Sequence, residues 1–135
     1  MAYIVPKRQN GFEKEWLAMS QEALKALATS GLNGEDFRVL MALLARLDFE
    51  NLLIVNQAEI AREINIKRPN INRAIKNLIA IDALLEGPKV GTNRSYRLNP
   101  YFGWKGSAKN HRKALDKRMQ ATGLKVFEGN KDLKS

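Results

Sequence analysis

The chain has no cysteine and a single histidine, His111, so disulfides, thiolate metal sites and a zinc centre of the Cys/His kind cannot be built. A nicking enzyme that uses two metal-binding histidines beside a tyrosine is excluded for the same reason. The phosphate-cradling loop that closes on Lys-Ser/Thr is missing too; the run GPKVGTN at 87–93 has neither the spacing nor the closing pair. The carboxylates Glu59, Glu63 and Glu86 are scattered along the chain. No catalytic constellation survives, and the expectation is a protein that is not an enzyme and uses no cofactor and no metal. No apolar run is long enough to cross a bilayer, and the N-terminus carries no secretory pattern. A soluble, cytoplasmic protein without membrane contact is expected.

Negative charge is also scarce. Lys and Arg number 23 against 14 Asp and Glu, a formal charge of +9, which suits a polyanionic partner, nucleic acid first. Apolar residues make up 44%, enough for one ordinary core, so 135 residues read as one domain with a tail.

What the chain does have is concentrated between Asn56 and Leu98. Asn56 can cap a helix over Gln57–Ile64, with Ala58, Ile60, Ala61 and Ile64 as its apolar face. Asn65-Ile66 breaks that helix, and Ile66 is placed to plug the corner that follows. A second helix opens at Lys67-Arg68-Pro69, since proline suits the first helical position. Ile71, Ala74, Ile75, Leu78 and Ile79 then recur at the spacing of one buried stripe. The other face carries Arg68, Asn70, Asn72, Arg73, Lys76 and Asn77, with no acidic residue before Asp82. Arg, Lys and Asn can bond base edges, and a single helix fits the major groove. On an isolated helix such a face is usually only solvated. Here a helix and turn precede it and a wing follows, and that context turns the reading towards DNA.

The wing is expected from a strand at Ala83–Glu86, turn signals at Gly87-Pro88 and Gly91-Thr92-Asn93, and a return strand at Ser95–Leu98. Tyr96 and Leu98 should point inward, Ser95 and Arg97 outward. The candidate DNA-binding residues are therefore Lys67, Arg68, Asn70, Asn72, Arg73, Lys76 and Asn77 on the recognition helix. Asn56 and Gln57 on the first helix join them, with Lys89, Thr92, Asn93 and Arg94 on the wing. The wing cations are phosphate or minor-groove contacts by type.

The flanks read as support. Residues 1–31 form an arm and a helix, with Phe12, Trp16, Met19, Ala23, Leu24 and Leu27 on one face, Ser20 as a dividing point and Gly31 as the terminator. Either a second copy or the chain's own domain can cover that face, and a homodimer is expected. The winged-helix domain spans 32–98. Its first helix starts at Asn33 with Asp36 three residues on and Leu32 and Phe37 as a staple. Phe37, Leu40, Met41, Leu44 and Leu47 make its core stripe, and the off-stripe Leu43 suggests a second covered surface. Asn51–Val55 fits the small strand that pairs with the wing. Residues 99–127 hold an aromatic linker, expected to cover the core edge beside Trp16, and a basic helix from Ser107 to about Thr122. Residues 128–135 are expected to lack order.

The run NQAEIAREINIKRPNINRAIKNLI, followed by a wing and then by Leu98-Asn99-Pro100-Tyr101-Phe102-Gly103-Trp104-Lys105-Gly106, resembles the RepL family of plasmid replication proteins. The likeness covers about Asn33 to Gly106 and departs at Pro69, where such helices more often carry a small polar residue. It implies a mainly α fold with a small β-wing, a winged helix-turn-helix with additional N- and C-terminal helices. It also implies double-stranded DNA binding at a plasmid origin, with host replication proteins as partners. The residues leave an alternative open, a winged-helix repressor on a palindromic operator, its own promoter included.

Overall fold

The computed structural model describes residues 16–122. The elements run β1 (Ala18–Met19), α1 (Gln21–Ala28), α2 (Gly34–Ala45), a 3-10 turn (Phe49–Asn51), β2 (Leu52–Val55), α3 (Gln57–Ile64), α4 (Arg68–Ala80), β3 (Leu84–Val90), β4 (Asn93–Leu98), β5 (Gly103–Trp104) and α5 (Ala108–Thr122). This is a mainly α fold with a small β-wing, a winged helix-turn-helix extended by a helix at each end. The expected arm at 1–10, the helix opening at Phe12, the stop at Gly123 and the tail at 128–135 lie outside the described residues.

Local signals set the helix starts. Ser20 accepts from Ala23 N at 3.2 Å and begins α1. Asn33 accepts from Asp36 N at 2.8 Å while Asp36 accepts from Asn33 N at 3.1 Å, so both donors at the start of α2 are satisfied reciprocally. Asn56 accepts from Glu59 N at 3.1 Å to open α3. The helix expected to run into Ser20 from upstream is instead the strand β1 at residues 18–19. Its backbone pairs antiparallel with β5, Ala18 opposite Trp104, and Ser20 N donates to Phe102 O at 2.8 Å. Gly103 permits this approach, because a Cβ there would come within 2.7 Å of both Ala18 O and Met19 Sδ.

The core stripe of α2 is rotated from the expected one. Val39, Leu40, Leu43 and Leu47 are buried, whereas Met41 is 54% exposed and Phe37 and Leu44 are only partly covered. The cause is that α2 packs on both α4 and α3, which widens its covered arc towards Leu43. Ile60, Ile66, Ile71, Ala74, Ile75, Leu78, Leu53, Val55, Leu84, Tyr96 and Leu98 complete the same core.

The three-stranded sheet has the order β2-β4-β3, all antiparallel, with Leu53 opposite Tyr96 and Leu84 opposite Leu98. Both wing strands are longer than expected and meet at the turn Gly91–Thr92. Ser95 is buried and not outward, because its hydroxyl donates to Pro88 O across a bulge in β3. Trp16 is exposed and lines a surface pocket with Met41, Leu44 and Lys105 of the linker. Phe102 packs on the core, and Trp104 is buried with its ring stacked on His111 at 5.1 Å between centroids. On α5, Leu115 and Met119 are half-buried while Ala108 is exposed.

Asn51 ties these parts together. Fully buried, it donates to Leu98 O at 2.9 Å and Gly103 O at 2.8 Å and accepts from Lys105 N at 2.9 Å. Asn51→Ala should cost at least about 2 kcal/mol in urea unfolding, since several buried backbone groups lose their partner. Ile75→Ala should cost about 2–5 kcal/mol, as a fully buried branched chain leaves a cavity, while Met41→Ala should stay within about 0.5 kcal/mol. Equal losses for Ile75→Ala and Met41→Ala would show that the face of α2 has been assigned wrongly.

Candidate nucleic-acid interface

Two helices and a closed turn present the candidate residues. α3 ends at Asn65 in the left-handed conformation (φ 56°), and Ile66 N donates to Ala61 O at 3.2 Å as the buried Ile66 fills the corner. Lys67 precedes α4 without a side-chain cap, Arg68 takes the first helical position and Pro69 the second, where its missing N–H costs no hydrogen bond. α3 is pinned from α2: Arg46 reaches Glu59 at 2.9 Å and Glu63 at 2.6 Å, and Arg38 donates to Ile64 O at 2.6 Å. The hydrogen bond to Glu59 raises the Arg46 pKa most, against the opposing effect of burial, so the guanidinium stays charged.

The polar residues of α4 differ in burial and partners. Arg68, Arg73 and Lys76 are exposed, and Arg73 and Lys76 stand on the side away from the buried Ile71, Ala74, Ile75 and Leu78. Asn72 is half-buried towards α3, where Gln57 Nε2 donates to its Oδ1 at 3.4 Å. Asn77 is half-buried towards α2, where its Nδ2 donates to both oxygens of Asp36 at 3.3 and 3.4 Å. Asn70 is also half-buried, and Lys67 and Asn56 are exposed. The candidate face is thus narrower than its sequence pattern: Asn77 holds α4 onto α2, and the outward arc belongs to the cations.

The wing follows α4 in the chain, and its first strand packs against that helix. Lys89 pairs with Arg94 and Val90 with Asn93, with Thr92 in the turn. Lys89, Thr92 and Arg94 are exposed and Asn93 is half-buried. Arg94 shares its face of β4 with Tyr96 and Leu98, which point into the core. Burial pushes the Tyr96 phenol pKa up, and the nearby Arg94 charge pulls against it. Arg97 faces the other side, where it donates to Glu50 O at 2.7 Å, so it is no part of this surface.

This geometry is that of a helix-turn-helix with a wing. Residues 30–80 match the model described as MarR family. The match runs from the start of α2 to the end of α4, under half of the chain, and supports a winged helix-turn-helix of the DNA-binding kind. No curated protein and no solved structure gives a match. Among the described residues, no helix is long and apolar enough to cross a membrane, and no group of three His, Asp or Glu could hold a metal ion.

Sequence reasoning missed the acidic partners of α4. Glu35 Oε1 lies 3.3 Å from Arg73 Nη2, and Asp36 holds Asn77. Separations of 38 and 41 residues leave no local signal for either pair. Asn77→Ala should lower stability by about 1 kcal/mol in thermal unfolding and leave base preference unaltered. A changed preference with unchanged stability would return Asn77 to the contact surface.

Proposed function

We propose that the protein is a sequence-specific, non-enzymatic regulator of transcription that binds double-stranded DNA as a repressor, with α4 in the major groove and the wing on the adjacent backbone. One observation carries the reading: the outward arc of α4 holds Arg73 and Lys76, with Arg68 exposed at the helix start, and the helix has no acid of its own and is anchored by a buried stripe. Arg is the side chain best suited to bidentate contact with guanine, and a helix fits the width of the major groove. The MarR-family match over 30–80 supports regulation more than any other use of the fold. A homodimer on a palindrome sets two copies of α4 one or more helical turns apart. The exposed Trp16, Leu24 and Met41 give apolar surface that a second copy can cover.

A second reading keeps the same DNA surface and changes its address. The segment Leu98–Gly106 resembles that of RepL plasmid replication proteins, which favours origin binding with host replication proteins as partners. Footprinting on DNA around the gene separates the two. Protection of a lone palindrome upstream of the gene supports the repressor, and protection of repeats at an origin supports the initiator. A protein that protects neither, and retains no duplex at low salt, would sink both.

The division of labour within the surface is also testable. Arg73→Ala should cost about 1–3 kcal/mol on the preferred duplex and relax preference at one base pair. Lys89→Ala or Arg94→Ala should weaken every duplex alike and lower the salt slope by about one unit. Titrations across salt on preferred and scrambled duplexes read both effects. Equal loss on both duplexes for Arg73→Ala, with altered preference for the wing variants, would reverse the assignment.

A further inference from the structure

The recognition helix carries no acid, yet its most outward arginine is not without one. Glu35, in the first turn of α2, sends Oε1 to within 3.3 Å of Arg73 Nη2. Both side chains are exposed, 41% and 57% respectively, so the pair sits on the surface offered to DNA and not in the core. Such a pair adds only about a two- to fivefold factor to folding, too little to explain a carboxylate placed where it repels phosphate.

Two features of the geometry give that carboxylate a different task. Its base is rigid: the next residue, Asp36, is buried, closes the cap with Asn33, and holds Asn77 one turn along α4 from Arg73. Glu35 therefore projects from a fixed first turn towards a fixed helix. The contact also takes Nη2 alone, and a guanidinium has five donors in a planar fork. The remaining edge can still meet two acceptors side by side, as guanine N7 and O6 are arranged.

We infer that Glu35 is a positioning residue for base readout: resting on the DNA-binding reading above, it aims Arg73 at a base edge and keeps it off the phosphates. A long cation freed of that tether gains rotamers, loses on a base that demands one orientation, and gains on phosphates that accept many. Fixing one such side chain amounts to about a two- to tenfold factor in affinity.

The probe is a duplex recovered from a randomised pool by the unaltered full chain, set against a shuffled duplex of the same composition. Glu35→Gln should weaken the recovered duplex about two- to tenfold while the shuffled one holds or tightens, so the ratio falls. Glu35→Asp keeps the charge and shortens the reach; the ratio should fall again with the salt slope unchanged. In an Arg73→Ala background, neither change should move the ratio. Thermal unfolding of each variant reads folding separately. Tightening of both duplexes in equal proportion by Glu35→Gln, with no effect of Glu35→Asp, would overturn the proposal and leave Glu35 as a repelling charge only. Persistence of the Glu35 effect without Arg73 would overturn it as well. If the unaltered chain recovers no duplex, the DNA-binding reading has failed, and this inference with it.

Discussion

The buried amide of Asn51 is the junction on which the outer half of the molecule depends. Its three hydrogen bonds reach the end of β4, the start of β5 and the residue after β5. Each satisfied group belongs to backbone that no helix or long ladder would otherwise pair, so the amide substitutes for secondary structure. Asn51 and Glu50 both take positive φ, 66° and 57°, which turns the chain from the 3-10 segment into β2. Asparagine tolerates that conformation better than most side chains. Around this junction Glu50 accepts from Asn110 at 2.7 Å, Glu50 N donates to Lys105 O at 2.6 Å, and His111 Nε2 lies 2.8 Å from Pro100 O. A carbonyl only accepts, so His111 must carry its proton on Nε2 to make that bond. Thus α5 is held less by an apolar stripe than by a polar seam that begins at Asn51.

The DNA-facing side is organised by the opposite logic, with apolar contact supplying the energy and polar contact the aim. Ile71, Ala74, Ile75 and Leu78 are at most 1% exposed and fix the axis and rotation of α4 against α2. Ion pairs at the exposed rim contribute at most about 1 kcal/mol each and could not do this. Polar contacts of this kind, one ion pair and two hydrogen bonds, choose among rotamers once the axis is set: Glu35 for Arg73, Asp36 for Asn77, Gln57 for Asn72. Arg46 pairs with both Glu59 and Glu63 on α3, which offsets part of their negative charge beside the recognition helix.

What the sequence made legible follows the range of each interaction. The cap at Asn33, the start at Asn56, the plug at Ile66 and the stripe of α4 were all readable, because each depends on neighbours no more than five positions apart. β1 was not: two residues become a strand only because β5 arrives from 86 positions away, and the helical spacing of Trp16, Met19 and Ala23 was accidental. Leu43 is covered as its off-stripe position suggested, but Met41 is exposed, because the arc buried on α2 depends on which helices flank it. Of the candidate site, the positions Arg68, Arg73, Lys76, Lys89 and Arg94 emerge on the surface as read, whereas Asn77 is drawn inward by Asp36, a partner that only the fold brings near.

The bulge in β3 shows how one extra residue shapes the wing. Glu86 pairs with Tyr96, yet Lys89 pairs with Arg94, so β3 advances three residues while β4 retreats two. In an unbulged ladder Lys89 would oppose Asn93 and lie on the face away from Tyr96; the inserted residue turns it onto the face of Arg94. The sequence supplies what the insertion needs. Pro88 has no N–H to leave unpaired on this edge strand, and its carbonyl is taken by the Ser95 hydroxyl. Gly87 makes room, since a Cβ there would come 2.6 Å from Ser95 Oγ. Two cations are thereby brought side by side on one face of the hairpin, by a glycine, a proline and a buried serine that carry no charge of their own. The turn residues of the wing thus decide where its positive charge points.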